Sequence, residues 1–197
     1  MAIAATAPTT GGFIAALNGK YHRASLNIFL VVVLAHWAEH LVQAYQIFVL
    51  GQARPKSRGV LGQFFPILVT SEWLHYGYAI VMIVGFFLLR RGFTGRAKTW
   101  WTIALAIQFW HHIEHFILLF QALTSQPWFG SKVPISFLQY VFPTSRVEIH
   151  LFYNAVVFIP MVIAMYLHLR PNEKELHAAS CSCLQHRKRP ATVGATA

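Results

Sequence analysis

Four apolar runs, each long enough to cross a bilayer as a helix, constrain this chain of 197 residues more than any other feature it carries. They cover Ser25 to Leu50, Pro66 to Leu89, Trp100 to Leu123 and Val147 to Leu169. A hydrocarbon core of roughly 30 Å needs about 20 helical residues. Lipid offers no partner for a backbone N–H or C=O, so a span must be a helix or belong to a closed barrel, and these runs lack the alternation of barrel strands. Turn signals separate them: Gly51 with Pro55, Gly92 with Gly95, and Pro127 with Gly130 and Pro134. The predicted fold is an all-α integral membrane protein, a four-transmembrane-helix bundle over residues 25–170. A short segment, 1–24, precedes it, and a disordered basic tail, 171–197, follows.

Charge gives the orientation. Lys and Arg number sixteen against six acidic residues, all of them Glu. Lys20, Arg23, Arg90, Arg91, Arg96, Lys98, Arg170, Lys174 and Arg187 to Arg189 would lie on one face, eleven against the five of Arg54, Lys56, Arg58, Lys132 and Arg146. The positive-inside rule then predicts both termini in the cytoplasm of a multi-pass cell-membrane protein. These basic residues flank spans and form no aromatic-interleaved face, so the partner is the lipid bilayer and nucleic acid is excluded. Met1 to Gly19 lacks a basic leader region and is broken by Pro8 and Gly11-Gly12, which predicts no cleaved signal. Cys181 and Cys183 sit too close together to staple a fold.

Polar residues fall where they cost most. Four of the six glutamates (Glu39, Glu72, Glu114, Glu148) and seven of the eleven histidines lie in or at the edge of a span. Ionisable groups in a bilayer are expensive unless paired or coordinated, so their default reading is functional. The first span holds His36, Glu39 and His40; the third holds His111, His112, Glu114 and His115. Positions i, i+3 and i+4 share a helical face, so each span aims two imidazoles and a carboxylate at one region. His75 with Glu72 and His150 with Glu148 complete the set from the second and fourth spans.

An internal repeat links the halves. His36, Glu39, His40, His75 and Tyr78 recur seventy-five residues later as His111, Glu114, His115, His150 and Tyr153. The bundle therefore reads as two repeated helix hairpins, about 25–92 and 99–170, whose polar groups meet at one depth. Glu148 has a second reading, because Ser145-Arg146-Val147-Glu148 fits a capping box. Trp73, Trp100, Trp101 and Trp128 suit interface belts, whereas Trp37 and Trp110 adjoin the polar cluster.

Six repeat-related histidines and two glutamates exceed the four ligands of a closed zinc site and predict two metals. Mixed imidazole and carboxylate ligands in a four-helix bundle suit a di-iron centre. The expected ligands are His36, Glu39, His40, His75, His111, Glu114, His115 and His150, with Glu148 as a further candidate; Glu72, His112, Tyr78 and Tyr153 are candidates for proton or redox roles.

The segments His36-x-x-x-His40 and His111-His112-x-x-His115 resemble the first two histidine boxes of the membrane fatty acid desaturase and hydroxylase superfamily. The resemblance implies that these five histidines bind oxygen-activating non-haem iron. The expected function is an oxidase or oxygenase acting on an apolar, lipid-like or quinone-like molecule, served by an electron-donor protein. Copper, zinc and haem are alternative cofactors. Haem would imply a membrane electron carrier; zinc, with His36-x-x-Glu39-His40 in inverted zincin order, an intramembrane hydrolase; labile metal, a carrier or sensor. The tail residues His177, Cys181, Cys183 and His186 carry a soft-metal alternative to simple disorder. No P-loop, GxGxxG, GxSxG or HExxH segment occurs, so the usual carriers of nucleotide and serine-hydrolase chemistry are missing.

Overall fold

The structure, a computed structural model, describes residues 12–185. Residues 1–11 and 186–197, which include part of the stretch expected to lack a leader and the distal tail with His186, lie outside the described residues. Among the described residues all regular structure is helical: α1 Phe13–Asn18, α2 His22–Phe48, α3 Leu61–Phe64, α4 Ile67–Thr70, α5 Glu72–Leu89, α6 Gly95–Thr124, α7 Phe137–Val141, α8 Arg146–Leu169 and α9 Glu173–Ala178. Helices α2, α5, α6 and α8 are long and apolar enough to cross a membrane, which marks a multi-pass membrane protein.

Helix boundaries follow local chemistry. The second span was expected from Pro66, but Ile67–Thr70 forms a separate turn of helix. Ser71 is extended and its side chain accepts from the Leu74 N–H, so it starts α5 as an N-cap at the cost of continuity with α4. The third span begins earlier than expected, at Gly95, and ends where Ser125 turns left-handed at φ 53°. Ser145 precedes α8 but makes no capping hydrogen bond, so the capping box expected with Glu148 does not form.

Phe29 of α2, Phe86 of α5, Trp101 of α6 and Met161 of α8 centre the apolar core. Trp101, expected at a membrane interface, is instead fully enclosed. Its indole Nε1 donates to the Phe86 carbonyl at 2.8 Å and its ring stacks on Phe93 at 4.2 Å, which satisfies the one polar atom that burial would otherwise penalise. Phe29 reaches this core because Gly85 presents no side chain; a Cβ there would overlap the Phe29 ring.

Helix α6 packs extensively against both α8 and α5, whereas α2 touches α8 and α5 over a smaller surface. Over residues 171–185 the structure corrects the expectation of a disordered tail. Asn172 and Glu175 form a reciprocal capping box that starts α9, and Glu175 receives both the Arg96 backbone N–H and its guanidinium, at 2.9 and 3.0 Å. Ala179, Cys181 and Leu184 are buried beyond it, so local caps and a small apolar cluster dock the segment on the bundle.

Candidate metal centre

Helical spacing puts His36 above His40 on α2, and His111 above His115 on α6. Within each pair the Nε2 atoms approach to 3.1 Å and 3.2 Å respectively. His75 of α5 and His150 of α8 lie between the pairs and join them crosswise. His40 stacks on His150 with ring centroids 5.0 Å apart, His75 faces His115 at 6.0 Å, and His75 meets His150 at 5.5 Å. All six expected histidines thus come together inside the bundle.

Hydrogen bonds fix how the rings point. The Nδ1 atoms of His75 and His150 lie 2.8 and 2.7 Å from the carbonyls of Ser71 and Arg146, one turn earlier on the same helix. A carbonyl only accepts, so each Nδ1 carries the proton and each Nε2 keeps a free lone pair. His40 Nδ1 is held likewise by Gln43 Oε1 at 2.7 Å. An imidazole that donates one N–H to an oxygen and presents its other nitrogen is the usual state of a metal ligand. Tyr78 stacks on His36 at 3.8 Å and Tyr153 lies against His111 at 4.1 Å, so both tyrosines brace rings at the cluster's edge.

Buried nitrogens without partners gather here: Nε2 of His150 and Nδ1 of both His111 and His115. Buried polar atoms are almost always paired, and exceptions call for a water, an ion or a redox role. A cluster of six imidazoles therefore fits a transition metal. Their approach is pairwise: the only set of three or more candidate ligand atoms within 4.8 Å of one another among the described residues is His22, His168 and Cys183, at the other end of the bundle.

The glutamates have other partners. Glu39 accepts from the backbone N–H groups of Val60 and Gly62, at 3.1 and 2.9 Å, and Glu114 accepts from Leu138 N–H at 3.2 Å. Each carboxylate ties the loop that follows its helix back onto the bundle. Glu72 forms a two-toothed ion pair with Arg146, and Glu148 pairs with Arg54 at 2.8 Å. Both ion pairs join the first half of the chain to the second. His112 stands apart from the six, stacked on Tyr76 at 5.1 Å.

Sequence reasoning missed Gln43, Gln46, Gln121 and the two arginines. Gln46 exchanges hydrogen bonds with both backbone groups of Gly59, and fully buried Gln121 does the same with Ile135. Their separation of seventy-five residues was the available signal.

A cavity of about 420 Å³ opens between α2 and α5, walled by Val32, Ala35, Leu68, Val69 and Leu74, and reaches His36, His40 and His75. The corresponding space beside His111, His115 and His150 is closed to about 10 Å³. No protein-family model, curated protein or solved structure matches the chain.

Proposed function

We propose that this protein is a cell-membrane metalloenzyme whose six inward-facing histidines hold two redox-active ions and oxidise an apolar molecule with dioxygen. The observation that carries the reading is the meeting of those six imidazoles beside an apolar cavity that three of them line. The His36–His40 and His111–His115 pairs would each hold one ion, with His75 and His150 between them completing the two positions. Bound metal would supply the electron transfer, and the protein would orient the imidazoles and exclude water.

The glutamates modify the chemistry expected from sequence. With Glu39 and Glu114 engaged by backbone N–H groups, the donor set is all imidazole, which favours copper over the carboxylate-bridged di-iron centre. Iron remains the alternative metal. The zinc-hydrolase reading loses its general base, because Glu39 is committed to the loop. Lipid-like or quinone-like molecules suit the cavity walls, and an electron-donor protein would complete the cycle where the substrate does not supply every electron.

We also infer that the two hairpins are duplicates and that both termini are cytoplasmic. Support for the first is the recurrence of the same contacts: paired Nε2 atoms at 3.1 and 3.2 Å, and glutamines that bracket one loop residue in each half. Support for the second is the distribution of Lys and Arg.

The test is elemental analysis of detergent-purified protein grown with copper and iron both supplied, beside the His36→Ala and His111→Ala variants. About two redox ions per chain, with loss in both variants and dioxygen uptake on adding a quinol, is the expected result. Unchanged metal content in either variant, or protein without copper and iron, overturns the reading.

A further inference from the structure

The end of the bundle where the chain turns from α5 into α6 gathers four more ligand-type side chains. His22 opens α2 and His168 closes α8; their rings meet edge to face at 5.3 Å. The docked C-terminal segment brings two sulfurs to them. Candidate ligand atoms of His22, His168 and Cys183 all lie within 4.8 Å of one another, and Cys181 Sγ is 3.4 Å from His168 Nε2.

Three features set this cluster apart from ordinary packing. His22 is fully buried, yet neither of its ring nitrogens has a hydrogen-bond partner. Burial of an imidazole with both nitrogens unpaired is costly, and the fold makes room for it: a Cβ at Gly92 would overlap the ring. The segment that carries the thiols is fixed in register, because Ser182 donates its N–H to the Gly19 carbonyl at 2.9 Å and accepts the Arg23 N–H on its hydroxyl at 3.2 Å. A cavity of about 320 Å³, bordered by Arg23, Asn27, Met165, His168 and Cys183, provides a way in.

We propose that His22, His168, Cys181 and Cys183 form a second metal site, which takes a zinc ion and pins the C-terminal segment to α2 and α8. Two thiolates and two imidazoles are a complete tetrahedral set for zinc, and a site with all four positions filled by protein is structural rather than catalytic. Zinc–ligand bonds of about 2.0–2.3 Å place neighbouring ligand atoms roughly 3.3–3.8 Å apart, so the atoms of His22, His168 and Cys183 need to draw in by about an ångström, and Cys181, outside that set of three but 3.4 Å from His168 Nε2, needs to turn in to join them. Two thiolates would neutralise the ion beside Arg23. The site is independent of the six central histidines, since His22 and His36 are separated by about 21 Å of helix.

Cobalt reports on it selectively. Cys181 and Cys183 are the only two cysteines in the chain, so a thiolate-to-cobalt charge-transfer band cannot arise at the central histidines. Titration of reduced, detergent-purified full-length protein with Co²⁺ should give that band, saturating at one ion per chain and bleached by Zn²⁺. The band should survive in His36→Ala with His111→Ala, and vanish in Cys181→Ser with Cys183→Ser. Removal of buried His22 endangers folding, so His168→Asn, which keeps a polar side chain of similar reach, tests the imidazole contribution by weakening cobalt binding at least about tenfold. Absence of the band in folded wild-type protein, or a band of undiminished affinity in folded His168→Asn, overturns the site. Neither result bears on the central metals, and loss of those leaves this band in place.

Discussion

Arg146, the first residue of α8, grips Glu72, the first residue of α5, with both guanidinium NH2 groups on both carboxylate oxygens. The same arginine's carbonyl holds His150 Nδ1, and the residue before Glu72 holds His75. One ion pair therefore sets the relative height of two helices whose next inward side chains are His75 and His150. Arg54 and Glu148 form a second, more exposed link between the halves.

Removal of one partner should cost stability through the unpaired charge left behind. Glu72→Gln is expected to destabilise the protein by about 1–3 kcal/mol, the range for a buried polar group left without its partner. A double-mutant cycle with Arg146→Gln, followed by thermal unfolding in detergent, isolates the coupling. Additive single effects would show that the pair contributes nothing between the hairpins. Glu148→Gln should have a much smaller effect, because its arginine is more than half exposed.

The loop role of Glu39 makes a prediction opposite to that of a bridging ligand. Glu39→Gln should lower thermal stability by about 1–3 kcal/mol while leaving metal content unchanged. Gly59, at φ 74°, lies against this carboxylate, and a Cβ there would overlap it. Gly59→Ala should therefore destabilise as well, through both backbone strain and displacement of Glu39. Loss of metal with stability intact in Glu39→Gln would return the carboxylate to the centre.

Gln43 holds His40 Nδ1, and the residue seventy-five positions later is Leu118, which offers no such bond to His115. The two metal positions should differ in affinity accordingly. Gln43→Leu is expected to weaken the position that includes His40 by about 10–100-fold, as outer hydrogen-bond partners of ligating histidines do. Competitive chelator titration of loaded protein measures it. Equal affinities before and after the change would refute the asymmetry.

Where α9 docks, the Arg96 guanidinium first, aided by the backbone N–H groups of Asn172 and Arg96, holds the Glu175 carboxyl down at about 2. A depressed carboxylate stabilises the fold above its unfolded pKa, near 4.5, and that contribution disappears as pH falls toward 2. Arg96→Gln should lower thermal stability at neutral pH and flatten its fall between about pH 4.5 and 2, so that variant and wild type converge in acid. A stability difference that stays the same from about pH 7 to pH 2 would separate Glu175 from α9 docking.

The cavity between α2 and α5 is open to the same approach. Ala35→Phe should fill it, abolishing substrate-dependent dioxygen uptake while two metals remain bound; retained turnover would place the substrate elsewhere.

Much of this architecture was legible because lipid makes polar mistakes costly. Apolar runs fixed the four spans, and i, i+4 spacing fixed which face His36 with His40 and His111 with His115 share. The carboxylates were not legible, since His-x-x-Glu-His reads the same whether Glu39 turns to a metal or to the N–H groups of a later loop. Trp101 looked interfacial because its neighbours in sequence are basic; only the fold reveals the carbonyl of Phe86 waiting for its indole. The meeting of His22 with Cys181 and Cys183 joins opposite ends of the chain, and no local pattern encodes it. Local caps did announce α9, through Asn172 and Glu175, and the basic tail composition masked them.

Only the first hairpin keeps its chamber open, about 420 Å³ against about 10 Å³ in the second. For an oily compound this changes which concentration matters. Entry from the side would draw on molecules already dissolved among acyl chains, so occupancy would follow their partition coefficient and local membrane loading, not their scant solubility in water. On the proposed reading, one half would admit the reactant and the other would keep its imidazoles dry.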